Sequence, residues 1–277
     1  MRNQEIVWGA LVLRAYREAE KDRVLAVAAG VAFYGLLALL PAVTAFVSLY
    51  GLFVPTTDIA DHLRTAGSLL PAAANEIVVD QVNKLTAADP VALSVASIFG
   101  LVVSIWSTNS AMKAIMDALN VAYGVTDRRG IIRFNLTSMA MTVGAVLVVI
   151  CMLLTLAAVP LILDRIWLGW ATEFLLSYGR WALLFAILIT AIAVLYRVGP
   201  DVPDARWRWI SPGSLSAGVG LVVFSIGFSW YAENFAKYNE TYGSLGAVIA
   251  FLVWGWLSAT VVLFGAELNA ELDKRIA

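Results

Sequence analysis

From Val24 to Thr57 the chain carries no charged residue. A helix crossing the hydrocarbon core of a bilayer needs about 20 apolar residues, and this stretch exceeds that without interruption. Five further apolar segments come close to that length or exceed it. The six expected spans are approximately Ala26–Val54, Val91–Met112, Phe134–Leu163, Trp181–Tyr196, Ile210–Trp230 and Ser244–Ala266. The fourth is the shortest and could begin earlier, near Phe174, with Arg180 facing protein or reaching outward along its aliphatic stem. Composition agrees: 61% of the 277 residues are hydrophobic and 14% charged, whereas soluble domains are roughly 45–50% apolar and about 25% charged. The expected fold class is therefore all-α, a polytopic membrane protein with a bundle of about six transmembrane helices in one membrane domain.

The first apolar stretch is too long for a cleaved signal sequence and reads as a retained span. The net charge of −1 hides a positional bias. The N-terminal segment, the second and fourth connections and the C-terminus hold Arg2, Arg14, Arg17, Lys21, Arg23, Lys113, Arg128, Arg129, Arg133, Arg197, Arg206, Arg208, Lys274 and Arg275. Arg64, Lys84, Arg165, Arg180 and Lys237 fall on the opposite side. Fourteen against five places both termini in the cytoplasm, because cationic residues favour that face. Within residues 1–25, Trp8, Leu11, Val12, Ala15 and Tyr16 recur at helical spacing opposite Arg14, Arg17 and Glu18, the pattern of an amphipathic helix lying along the inner interface. A solvated helix leading into the span is the plainer alternative. Residues 55–90 read as an extracytoplasmic connection with one or two short amphipathic helices.

Small residues at Gly213, Ala217, Gly220 and Gly227, then at Gly243, Ala247 and Ala250, predict close approach of the last two spans. On the second span Trp106, Asn109, Lys113, Asp117 and Asn120 recur every three or four residues. They form a polar stripe that lines a pathway or makes interhelical hydrogen bonds, since polar groups at membrane depth avoid lipid. Pro41 interrupts the hydrogen-bond ladder of the first span, and Tyr34 shares roughly its face. Trp254 and Trp256 lie in the middle of the sixth span, where an indole N–H needs a partner or a polar cavity. Asn239 and Tyr242 belong to a short polar loop entering that helix, and Glu267 and Asn269 follow its end. A carboxylate so placed calls for a cation, with Arg197 or Lys113 as candidate partners, or else for plain solvation at the interface.

Enzyme signatures are missing. The single histidine, His62, and single cysteine, Cys151, leave no His-rich metal site, no Cys/His dyad with spare partners and no intrachain disulfide. No GxSxG, HExxH, P-loop or GxGxxG motif is present. No catalytic residue, metal or cofactor is expected.

The runs AFYGLLALLP (Ala32–Pro41), WSTNSAMKAIMDALNVAYG (Trp106–Gly124), YRVGP with WRWISPG (Tyr196–Gly213), and YNETYGSLG with GAELN (Tyr238–Asn269) together resemble the YihY/BrkB family of bacterial inner-membrane proteins over residues 10–270. The resemblance implies a six-helix protein of the bacterial inner membrane, multi-pass, for which transport is the usual guess. The family's old ribonuclease BN label finds no support in these residues. The expectation is a transporter or exporter of a small or amphipathic solute, anions included. The rival is an envelope protein that binds lipid or partner proteins, and a membrane-embedded enzyme ranks third. The expected partners are membrane lipids, a small-molecule solute and, as an open alternative, a second copy of the chain, but not nucleic acid.

Overall fold

The computed structural model describes residues 8–50, 90–165, 170–202, 211–234 and 245–276. Seven helices and no strand occur among the described residues: α1 (Trp8–Lys21), α2 (Val24–Tyr50), α3 (Pro90–Ala122), α4 (Ile131–Arg165), α5 (Trp170–Val198), α6 (Pro212–Asn234) and α7 (Leu245–Ile276). The protein is all-α, and helices α2 to α7 overlap the six stretches read as spans. Four helical stretches, 131–152, 178–198, 212–231 and 248–274, are long and apolar enough to cross a membrane, and the pair Gly9–Lys21 and Val24–Leu39, bent by 65°, makes a fifth candidate. Their outward surfaces support that reading. On α4, Leu136 is 69% and Leu147 56% exposed, a cost in water and the normal state in lipid.

Two helices run well past the expected spans. α3 has 33 residues and α7 has 32, which at about 1.5 Å per residue gives each roughly 50 Å against a hydrocarbon core of about 30 Å. α5 starts at Trp170, earlier than the span expected from Trp181, and Arg180 stacks on Trp181 with its guanidinium carbon 5.4 Å from the ring centroid. α2 continues through Pro41. The sharp bend lies instead at the α1–α2 turn, where Arg23 adopts φ +54°. The outer connection, Asn239 and Tyr242 lie outside the described residues.

The chain divides into two compact units. One comprises Ala26–Ala114 and Val223–Ala259. In it the Trp254 indole donates to Ser225 Oγ at 3.2 Å, supplying the partner that a central tryptophan requires. Gly255 lets α7 approach α2, since a Cβ there would stand 3.4 Å from that of Ala32.

The other unit comprises Met1–Leu25, Ile115–Val222 and Thr260–Ala277. Here α6 and α7 meet at small residues, as expected. A Cβ on Gly265 would lie 2.7 Å from Ala217 Cβ and 2.8 Å from the Gly213 carbonyl, so these backbones fit together only without side chains. The start of α6 is fixed by its own sequence. Ser211 and Ser214 exchange backbone-to-hydroxyl hydrogen bonds at 3.0 Å, and Pro212 occupies the first turn, where its missing N–H costs nothing. Leu11 and Ala15 of α1 pack on Leu268 and Leu272 of α7. The apolar face of α1 is thereby divided, with Val12 and Tyr16 left exposed.

Candidate functional site

Two polar clusters of this unit are built at helix ends, and they differ in how fully their groups are matched. The first begins where α3 stops. Gly124, at φ +64°, donates to the Val121 carbonyl at 2.8 Å, a left-handed ending that glycine adopts without steric cost. The loop that follows places Asp127 and Arg129 together. The Arg129 guanidinium binds both carboxylate oxygens of Asp127, and it also donates to the carbonyls of Val198 at 3.3 Å and Gly199 at 2.8 Å. Those are carbonyls at the end of α5, so a cation caps a helix C-terminus where it interacts best.

Asn120 completes this clamp, donating to Asp127 at 3.1 Å and accepting from the Asp201 backbone N–H at 2.7 Å. The Asp201 carboxylate accepts from the Arg128 backbone N–H at 2.9 Å. Gly199 is required, because a Cβ would stand 2.6 Å from the Leu195 carbonyl oxygen. The Arg129 guanidinium holds the Asp127 carboxyl below the usual carboxylate range. Every strong donor has an acceptor here, the signature of a structural device.

The second cluster surrounds the end of α7. The Tyr196 hydroxyl donates to the Val262 carbonyl. Asn269 donates to the Tyr123 hydroxyl at 2.8 Å, and burial pushes that phenol up to about 12 against the opposing pull of this bond. Between them Glu267 is 1% exposed, and its Oε1 has no hydrogen-bond partner. The charged groups facing Glu267 are Asp22 and Glu18 from α1 and its turn, and Lys274 from α7. The expected pairing with Arg197 or Lys113 is corrected: α7 presents Glu267 toward the α1–α2 turn, and the group lying against it is another carboxyl.

Comparison with known proteins identifies the chain. The family model for virulence factor BrkB matches residues 15–277. The chain belongs to the BrkB family. It is similar to the ribonuclease-like protein YfkH of Bacillus subtilis (strain 168), with 31% identity over 253 residues covering 89% of each chain. It also resembles a UPF0761 membrane protein of Vibrio campbellii, 26% identical over 99% of this chain and 86% of that one. A UPF0761 membrane protein of Xanthomonas axonopodis is 27% identical, and there the match spans 62% of the longer relative. No solved structure matches. With relatives described as membrane proteins and several long apolar helices, this BrkB-family chain is a membrane protein.

The residues singled out in the sequence differ in exposure in this BrkB-family protein. On α3, Asn109 and Asn120 are buried, Lys113 is half-buried, and Trp106, at 63%, and Asp117 are exposed. At about 100° per residue Trp106, Lys113 and Asp117 fall within about 40° of one another, at the edge of a buried face carried by Asn109, Met112, Met116 and Leu119. Burial thus splits the stripe along its length. Tyr34 is half-buried and meets Phe33 edge-on, with centroids 5.9 Å apart. Arg197 ends α5 with its Nε buried and without a hydrogen-bond partner. Trp256 is half-buried.

Sequence reasoning missed Asp127, Arg129, Ser107 and Asp22. Arg129 entered it only as a topological charge. The signal that could have found the clamp is the Gly124 stop followed by Asp127 and Arg129, two residues apart, the spacing of a turn that chelates its own backbone.

Proposed function

We propose that this BrkB-family protein is a transporter of the bacterial inner membrane, moving a small or amphipathic solute, with anions in its range, and with both termini in the cytoplasm. The orientation rests on the fourteen-to-five distribution of Lys and Arg. One observation carries the transport reading. On α3, Ser107 and Asn109 are 1% and 8% exposed within an apolar helix, and Ser107 Oγ has no hydrogen-bond partner. A hydroxyl kept buried and unmatched at membrane depth is costly, and such groups serve solute or ion paths more readily than packing.

The ribonuclease wording in the name of the Bacillus relative is not carried over. Metal-assisted phosphodiester hydrolysis relies on converging ligands, and no group of three or more His, Cys, Asp or Glu able to hold a metal occurs among the described residues. A non-enzymatic role, without nucleic acid, fits these residues better. The second reading, an envelope protein that binds lipid, is favoured by Val12, Leu13 and Tyr16, which α1 leaves exposed as an interfacial helix would.

The test is reconstitution in liposomes loaded with carboxyfluorescein, then with a panel of organic cations and amphipathic solutes. Protein-dependent release is expected, reduced severalfold by Ser107→Ala or Asn109→Ala with the thermal unfolding midpoint preserved. Vesicles with and without protein that leak equally for every solute would end the transport reading.

A further inference from the structure

The α1–α2 turn sets Asp22 against a carboxyl of α7 that water does not reach. Glu267 is 1% exposed, flanked by Ala266, Leu268 and Ala270, which are 0%, 6% and 2% exposed. Its Oε1 is unpartnered. Asp22 is only half-buried, so the pair has an inner member and an outer member that touches water.

Two cations near the pair are already engaged. Lys274 binds Glu271 at 2.8 Å and Lys21 binds Glu18 at 3.0 Å, and Glu18 adds a further negative charge on the Asp22 side. Two carboxyl groups in contact cannot both ionise without a counter-charge, and a bare buried carboxylate costs several kcal/mol. A metal would need a third ligand, and no group of three acidic, His or Cys side chains able to hold one occurs among the described residues.

We propose that Glu267 and Asp22 form a proton-binding site that holds one shared proton and couples the protein to a proton gradient; the coupling rests on the transport reading, the proton site does not. In the loaded state Glu267 donates its O–H to the Asp22 carboxylate. On release the proton passes through Asp22 to water, and the two carboxylates that result persist only once the turn has parted them. The turn is suited to respond. The helices on either side are bent by 65°, and Arg23 holds φ +54°, a conformation costly for a side chain other than glycine. Loss of the shared proton therefore acts on the turn between α1 and α2.

The full chain in liposomes tests both parts. Infrared difference spectra across a pH titration should show a protonated-carboxyl band that disappears in Glu267→Gln and shifts in Asp22→Asn. Carboxyfluorescein flux in the unsubstituted protein should depend on an imposed pH gradient, with that dependence lost in both variants. The Asp22→Asn variant, on a half-buried turn, keeps the test open if Glu267→Gln does not fold. Absence of the band at every pH where the protein is folded, or its displacement by sodium ions, overturns the proton site. A retained band with flux indifferent to the gradient overturns the coupling alone. A retained band without any flux overturns the transport reading and leaves the proton site standing.

Discussion

The Asp127–Arg129 clamp and the Asp22–Glu267 pair belong to the same compact unit and both bring an aspartate to a helix end, yet they finish in opposite states. At the clamp the guanidinium has two carboxylate oxygens and two carbonyls to bind, and its side chain is 5% exposed. At the pair two like groups meet and one oxygen is left bare. A matched buried charge holds loops and helices in one arrangement, whereas an unmatched one stores free energy that protonation can release. The contrast separates what keeps this protein folded from what allows it to change.

Removing the matched cation should have the largest effect. Arg129→Met leaves Asp127 and the end of α5 without a partner, and a loss of about 3 kcal/mol is expected, near the low end for a broken buried pair. The corresponding change at the other cluster, Glu267→Gln, replaces a buried carboxyl whose Oε1 has no hydrogen-bond partner and should leave the thermal unfolding midpoint in detergent unchanged or higher. Equal destabilisation by both substitutions would erase the distinction between the two clusters.

Acid sharpens it further. The Asp127 carboxyl is held below its ordinary range by Arg129, so its contribution to stability is full above the normal carboxylate pKa and is lost as pH falls through the depressed value. Unfolding midpoints should therefore drop on the acid side in the unsubstituted protein and respond less to acid in Asp127→Asn. The smallest expected effect is spectroscopic. The Tyr123 phenol, pushed up to about 12, should stay neutral through an ultraviolet titration until that range, and Asn269→Leu should move it higher by removing the bond that favours the phenolate. A Tyr123 signal at the ordinary phenol value would mean that the end of α7 is open to water.

Much of the architecture was legible in the sequence. Uncharged runs such as Val24–Tyr50 could be read directly as helices, and Gly213, Ala217 and Gly220 announced the close packing of α6 against α7. The central Trp254 called for a polar partner, and Ser225 supplies it. The ends were less legible. Hydropathy stops at the first charges, so α7 was expected to finish at Ala266, although its backbone continues to Ile276 because Leu268 and Leu272 pack on α1.

The candidate site was legible only in its parts. Glu267 and Asn269 stood out as polar groups at a membrane boundary, but which side chain faces each could not be read. Among Arg128, Arg129 and Arg133 the spelling gives no reason to choose, and the clamp selects Arg129 because the turn after Gly124 aims it at the end of α5.

By itself the sequence determined the solvent of this protein and the positions of its helices, because transfer of apolar side chains out of water sums locally along the chain. Only the tertiary structure decided which polar groups are matched. Asn120 meets the Asp201 backbone across 81 positions, and Glu267 meets an aspartate contributed by the far N-terminal turn. Satisfying a hydrogen bond or a charge is a relation between two groups at angstrom distances, and no local pattern of residues specifies that relation until the chain is folded.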